Sequence, residues 1–326
     1  MTDIPAYVLI DLLRKMLFIR RFEEKIVDVY SEQDMKTPVH LCIGEEAIAV
    51  GVCANLNRDD YIFTTHRSHG HCLAKGMDPK QLLAEFYGRK TGYCKGKGGS
   101  MHPASVEHNV LGTSAIVGGG IPIAVGTALA SWMKKDNRVS VTFFGDGATE
   151  EGTFHESMNF ASLKRLPVVF VCENNFYATN SPISARQPHD NIAKKAEGYG
   201  MPGIQIDGND VIQVYRTAKE VIQVARNGGG PTLIECRTYR WKGHVGTDYD
   251  YEKGCRPRQE LEEWMNKCPI NSYKDYLIES GIISNTEFQA MISEIDSALQ
   301  CAITFAKESP FPDISELLKD VYFERK

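Results

Sequence analysis

Two short polar clusters in this chain of 326 residues have the make-up of a divalent-cation and phosphate site. Gly145-Asp146-Gly147 and Asn174-Asn175 each follow an apolar run, Val139–Phe144 and Pro167–Cys172, and are separated by 26 residues, close to one βαβ crossover. Both runs are rich in β-branched and aromatic residues, as buried parallel strands are. If the strands are neighbours, Asp146 and Asn175 stand together at the carboxyl ends of the sheet, where open α/β folds bind ligands. One carboxylate plus one amide oxygen suits Mg²⁺, which wants about six oxygens, takes one or two carboxylates and leaves the rest to water and phosphate. Gly145 and Gly147 let backbone approach the phosphates, and the start of the next helix offers free N–H groups to the anion. Either cluster alone also fits an ordinary helix cap or tight turn. Their joint placement after two strands favours a shared ion.

The elements that must position this pair are legible from periodicity. Between the two runs, Glu150 to Leu163 reads as a helix. Pro5 to Gln33 reads as a helical arm, with Leu9, Leu12, Leu13, Leu17, Phe18, Ile26 and Val29 interleaved with charged residues. Gly44–Leu56 and Asp78–Tyr87 are further helices, the latter with Pro79 in its first turn. Asp60–Thr64 is strand-like and is followed by a polar loop, Thr65–His71. A Gly- and Lys-rich segment from Lys90 to Asn109 reads as a mobile, phosphate-proximal loop, although it matches neither a Walker A loop nor a dinucleotide fingerprint. Gly118–Met133 is a helix rich in Gly and Ala, which implies close packing in a buried or intersubunit position. Ile204–Ile206 and Thr232–Cys236 are strands around a helix from Asp210 to Asn227, and the βαβαβα order indicates a parallel sheet. After a polar loop from Tyr239 to Arg258, the remainder is helical. The expected fold is α/β, a parallel sheet with helices on both faces, in one domain over 1–326: a helical arm (1–40), an α/β core (41–250) and a helical C-terminal segment (251–326).

Composition narrows the function classes. With 42% hydrophobic residues the chain can bury a large core without disulfides or structural metal. The net charge of −5 and the lack of any basic block argue against nucleic acid and anionic membrane as partners. Nine cysteines, scattered and never spaced C-x-x-C, point to a reducing compartment and away from zinc or thiol redox chemistry. With no signal pattern and no long apolar run, the expected location is cytoplasmic.

Four motifs in order, Gly145-Asp146-Gly147 to Asn175, Thr65-His66-Arg67-Ser68-His69-Gly70-His71, Gly96-Lys97-Gly98-Gly99-Ser100-Met101-His102 and Tyr239-Arg240-Trp241-Lys242-Gly243-His244, resemble one family. The chain resembles the alpha subunits of thiamine-diphosphate-dependent 2-oxoacid dehydrogenases from about Phe18 to Tyr322, with wording nearest to acetoin and pyruvate dehydrogenase alpha subunits. The resemblance implies a thiamine-diphosphate-binding fold in which Asp146, Asn175 and the Tyr177 carbonyl ligate Mg²⁺ and Gly147 and Ala148 contact the diphosphate. It also implies that Arg67 binds phosphate, that His66 occupies a place often held by tyrosine, and that His244 lies over the diphosphate and thiazolium. Ala115-Ile116-Val117 would touch the aminopyrimidine, Val117 holding the cofactor bent. His244 and His69 would act in catalysis by stabilising negative charge and assisting acyl transfer. His40 either touches the active site or caps the helix after it; His71, His102 and His155 read as structural.

The same resemblance implies an incomplete site. The activating glutamate belongs to a beta subunit in two-subunit members, so an alpha2beta2 heterotetramer is expected, with a lipoyl-bearing acyltransferase as acceptor and a small 2-oxoacid or acyloin as substrate. The alternatives are a split transketolase-like or carboligating enzyme that works without lipoamide, and a silent scaffold subunit. Retention of Asp146, Asn175, Arg67 and His244 together speaks against the scaffold. Val245 stands where mitochondrial pyruvate enzymes carry a regulatory serine and cannot be phosphorylated.

Overall fold

A computed structural model describes residues 4–320 and Tyr322. Strands β1 (Tyr61–Thr65), β2 (Val110–Ser114), β3 (Ser140–Gly145), β4 (Val168–Asn174), the two-residue β5 (Tyr177–Ala178) and β6 (Ser181–Pro182), β7 (Gly203–Asp207) and β8 (Thr232–Arg237) alternate with helices. The helices are α1 (Ala6–Tyr30), α2 (Glu46–Cys53), α3 (His69–Ala74), α4 (Pro79–Phe86), α5 (Gly120–Lys134), α6 (Gly152–Lys164), α7 (Val211–Arg226), α8 (Arg258–Met265), α9 (Pro269–Glu279) and α10 (Asn285–Glu308).

Six strands form one parallel sheet in the order β2-β1-β3-β4-β8-β7. The expected central pair is present: Ser140 to Gly145 of β3 runs in register with Val168 to Glu173 of β4. Successive side chains point to opposite faces of a strand, and the core divides accordingly. Val141, Phe143, Val169, Val171 and Ile234 pack with α1, α2 and α7, whereas Phe144, Phe170, Cys172 and Leu233 pack with α5 and α6. Helices therefore cover both faces. The chain leaves β1 toward β2 on one side and leaves β3 toward β4 on the other. That reversal opens a crevice between the carboxyl ends of β1 and β3, where such sheets place ligands.

Several local expectations differ from the structure. Strand β2 is absent from the periodicity reading because it is a five-residue edge strand, half-buried, with Gly112 at its centre. The loop Thr65–His71 is shorter than its polar residues imply: α3 begins at His69, and both His69 and His71 are buried. Helix α6 begins at Gly152 rather than Glu150, after a 3₁₀ turn over Asp146–Glu150. On the buried face of α1, Arg20 and Glu23 are inside the protein. Arg20 Nε donates to Glu46 Oε1 at 2.6 Å, so charge here marks internal pairing rather than solvent.

The Lys90–Asn109 segment departs furthest from expectation. It wraps a buried carboxylate instead of facing a phosphate. Glu85 Oε1 accepts from the N–H groups of Gly98 (2.6 Å) and Gly99 (3.2 Å), and Oε2 accepts from Cys94 (2.7 Å) and Gly96 (3.0 Å). An anion-binding nest of backbone amides is thus filled from within by α4. Lys95 pairs with Asp320, and Lys97 donates to the Lys319 carbonyl at 2.5 Å. Toward the C-terminus, α10 is capped by Ser284 and Glu287 in a reciprocal box and packs on α4 and α1. Among the described residues no helix is long and apolar enough to cross a membrane.

Candidate active site

The crevice at the carboxyl edge is a cleft of about 680 Å³, counted with its open mouth. Its walls come from the ends of β1, β3 and β4 and from the loop after β8: Thr65, His66 and Arg67; Gly145 to Ala148; Asn175 and Tyr177 to Thr179; and His244. A larger hollow of about 1020 Å³ lies at the opposite, amino-terminal edge, but its charged residues are all basic, among them Arg138, Arg165 and Arg226. Its lining offers no carboxylate to a cation.

Of the residues singled out in the sequence, the cleft brings together His66, Arg67, Val117, Asp146, Gly147, Ala148, Asn175, Tyr177 and His244. Ala115 lies outside the lining and is exposed, while its neighbour Ile116 is inside it. His69 is also outside. It is fully buried, its Nδ1 lies 2.9 Å from Glu23 Oε2, and its Nε2 lies 2.7 Å from Ser100 Oγ. With both ring nitrogens engaged behind the cleft, His69 links the Gly-rich segment to α1 instead of lining the cleft as the sequence reading expected.

Asp146 is buried, and Arg186 pairs with both it and Glu150. Burial pushes the Asp146 carboxyl above its ordinary range, with Arg186 opposing. The Asn175 amide is oriented on two sides: Nδ2 donates to Glu45 Oε1 at 2.9 Å, and Oδ1 accepts from the Tyr177 N–H at 3.3 Å. Glu45 Oε2 is buried without a hydrogen-bond partner, 3.5 Å from Arg67 Nε. Burial raises the Glu45 carboxyl, and Glu173 adds to the rise while Arg67 and Asn175 oppose it. The donor set is thus one carboxylate and one fixed amide oxygen, with an orphaned carboxylate oxygen beside them. This fits a hard, oxygen-liganded cation.

Glu45 and Glu173 are the site residues that sequence reading missed. The available signal was the adjacent pair Glu45-Glu46 opening an otherwise apolar helix. Each glutamate is engaged through one oxygen, Glu45 Oε1 by the Asn175 amide and Glu173 Oε1 at 3.0 Å from His71 Nε2. Glu45→Ala leaves the Asn175 amide unsupported, and cation affinity is expected to fall by about 10–100-fold, the usual cost of removing an outer-shell partner. Calorimetric titration of Mg²⁺ with cofactor present reads it; unchanged affinity would mean that Asn175 does not depend on this contact.

The loop after β8 is held against the segment before α2. The Trp241 N–H donates to the Ile43 carbonyl at 3.0 Å and the Gly246 N–H to the Val39 carbonyl at 2.8 Å. Gly44, at φ +101°, has the Trp241 ring only 2.4 Å from where a Cβ would stand. Arg240, buried, lies 3.2 Å from Asp250 and donates to the carbonyls of Lys242 and Thr179. Asp250 also lies 2.9 Å from Arg256, so it is already paired with two guanidinium groups. The zipped segments bring His244 beside His40, with ring centroids 5.2 Å apart, and His66 beside both.

Burial, and then the Arg67 guanidinium, push His40, His66 and His244 down to about 3, 2 and 4. Unfolded histidine titrates near about 6.5. Between about pH 6.5 and 4 the unfolded chain therefore binds protons that the folded chain does not, and stability falls with falling pH by at most about 1.4 kcal/mol per pH unit for each imidazole, less where solvent screens the ring. Asp146 and Glu45, whose carboxyls are raised, contribute in the opposite direction above their unfolded values. Comparing Tm from pH 7 to 5 in the wild type and in His66→Asn isolates the histidine contribution. The variant is expected to lose stability less steeply, and parallel curves would disprove this.

A dehydrogenase E1 component family model matches residues 14–315. The alpha subunit of acetoin:2,6-dichlorophenolindophenol oxidoreductase from Bacillus subtilis (strain 168) is 48% identical over 311 residues, 95% of this chain and 92% of that one. The protein of that name from Cupriavidus necator is 40% identical, over 96% of this chain and 94% of its own. The pyruvate dehydrogenase E1 component subunit alpha of Porphyra purpurea is 39% identical, over 98% and 94%. On the match over most of its length and on these relatives, the chain belongs to the dehydrogenase E1 component family.

Proposed function

We propose that this chain is the alpha subunit of a heteromeric thiamine-diphosphate- and Mg²⁺-dependent dehydrogenase that cleaves acetoin or a pyruvate-like 2-oxoacid and passes the acyl group to a lipoyl-bearing acyltransferase. The observation that carries this is the convergence of Asp146 and Asn175, from the ends of two paired strands, on one cleft with Arg67 and His244. When bound, thiamine diphosphate supplies a carbon nucleophile and an electron sink. The residues of this chain bind and orient. Asp146, the Asn175 amide oxygen and the Tyr177 carbonyl would hold Mg²⁺, and Gly147 would let backbone approach the diphosphate; a Cβ there would stand 2.8 Å from Ala178 Cβ. His244, neutral at physiological pH, can donate a ring N–H to developing negative charge. His69 acts as a positioning residue through Ser100.

The second subunit is supported by exposed apolar surface that starts at the cleft. Ile116 and Val117 line its mouth and are 74% and 52% exposed. The exposed residues Ile123 on α5 and Phe160 and Leu163 on α6 lie on the same layer. Apolar surface of this kind marks a partner interface.

The test is to assay this chain alone and with its co-expressed beta-type partner, using a dye acceptor, acetoin or pyruvate, Mg²⁺ and thiamine diphosphate. Turnover is expected only from the pair, and turnover by the isolated chain would refute the shared site. Acyl transfer to a lipoyl domain, rather than to an aldehyde, separates the dehydrogenase from a carboligating enzyme.

A further inference from the structure

His40, His66 and His244 present ligand atoms that all lie within 4.8 Å of one another. They come from three segments: the stretch before α2, the end of β1 and the loop after β8. His40 is 7% exposed, and its Nδ1 is buried without any partner. A buried ring nitrogen left unpaired costs free energy unless something else completes it. Three neutral imidazoles with one position left open are the ligand set of zinc sites that keep an exchangeable fourth ligand, whereas Mg²⁺ prefers oxygen.

We propose that His40, His66 and His244 form a second metal site, for a borderline transition ion such as Zn²⁺ or Co²⁺, separate from the oxygen-liganded site at Asp146 and Asn175. Tetrahedral Zn²⁺ with bonds of about 2.0–2.1 Å needs ligand nitrogens about 3.3 Å apart, so the widest pair must close by roughly 1.5 Å. His66 and His244 are half-buried on connecting segments, so the closure would fall to them; His40 is the more buried member. Arg67 and Arg240 oppose a cation here, but Glu45 lies beside Arg67 and Asp250 beside Arg240. The residual positive field selects an anion, hydroxide or chloride, for the fourth position. No histidine among the three is fixed by a second-shell carboxylate of the usual kind, which makes the site exchangeable rather than structural. Resting on the proposed function, an ion seated here ties up His244 and makes Zn²⁺ a reversible inhibitor.

The experiment titrates Co²⁺ into the full chain in excess Mg²⁺ and follows visible absorption. One Co²⁺ per chain with the strong bands of a low-coordinate site is expected, lost in His66→Ala and His40→Gln and retained in Asp146→Ala. X-ray absorption on the Co²⁺-loaded wild type, which depends on no variant, should count three imidazoles. No stoichiometric binding, an oxygen-only or two-imidazole shell, or loss of the bands in Asp146→Ala would overturn the proposal. Thiamine diphosphate binding to the alpha–beta complex is measured separately. Co²⁺ binding without cofactor binding leaves the histidine site standing and overturns the functional reading, and the reverse result does the opposite.

Discussion

Asp146→Ala is expected to weaken Mg²⁺-dependent loading of thiamine diphosphate by more than about 100-fold, because removing even an outer-shell partner of a metal ligand costs about 10–100-fold. Asp146 is the carboxylate at the end of β3 that would hold the cation beside Asn175, and the neighbouring carboxylates are each engaged elsewhere through at least one oxygen. Glu150 is held by Arg186 and Gln187, and Glu45 by Asn175. In the wild type Arg186 pairs with Asp146 Oδ2 as well as with Glu150, so a cation at Asp146 would meet a carboxylate already partly neutralised by a guanidinium, and the variant leaves that guanidinium on Glu150 alone. Because burial raises the Asp146 carboxyl, loading of the wild type should also weaken as pH falls into its titration range, a dependence absent from the variant. Calorimetry on the alpha–beta complex, with circular dichroism to verify the fold, reads both effects. Loading by Asp146→Ala with wild-type Mg²⁺ dependence would place the cation elsewhere.

Glu85→Ala should destabilise the fold by on the order of 4 kcal/mol, since four backbone N–H groups lose one shared acceptor and each buried donor left unpaired costs about 1–3 kcal/mol, less where water enters. The carboxylate is fully buried, and Gly92, Gly96 and Gly98 are packed so tightly around it and its helix that a Cβ at any of them would meet other atoms at 2.4–2.6 Å. The consequence extends to the cleft. Ser100 follows this nest and holds His69 Nε2, whose other nitrogen is on Glu23 of α1; His69 lies one residue beyond Ser68 and two beyond Arg67. Hydrogen exchange should therefore rise first over Lys90–His102 and next at Thr65–His69, together with a drop in denaturation midpoint. A midpoint within about 1 kcal/mol of wild type, with unchanged exchange, would mean that the nest closes without its carboxylate.

Much of the architecture follows from local pattern. Apolar runs of β-branched and aromatic residues mark the central strands, Asp78-Pro79 marks the start of α4, and Ser284 with Glu287 marks the start of α10. Where pattern was weak, as in the half-buried β2 with its central glycine, no strand was legible. The juxtaposition of Asp146 and Asn175 was legible for the same reason as the strands: both directly follow runs that pair in register, so a sequence distance fixes a distance in space.

The remaining features depend on which distant segments meet. A lysine- and glycine-rich stretch reads as a loop for phosphate, and only the tertiary structure shows that Glu85 already occupies it. Glu23, Glu45 and Arg20 look like solvated charges on helices and prove to be buried partners of His69, Asn175 and Glu46. His69 and His244 are equally plausible as catalytic groups in sequence, yet one faces the core and the other the cleft. The sequence by itself determined the central strands, most of the helices and the placement of Asp146 and Asn175 at the ends of two paired strands, because those rest on neighbours along the chain. Which charged and titratable side chains serve that place, and which are spent inside the core, was decided only by tertiary packing, because burial and pairing are set by residues far apart in sequence.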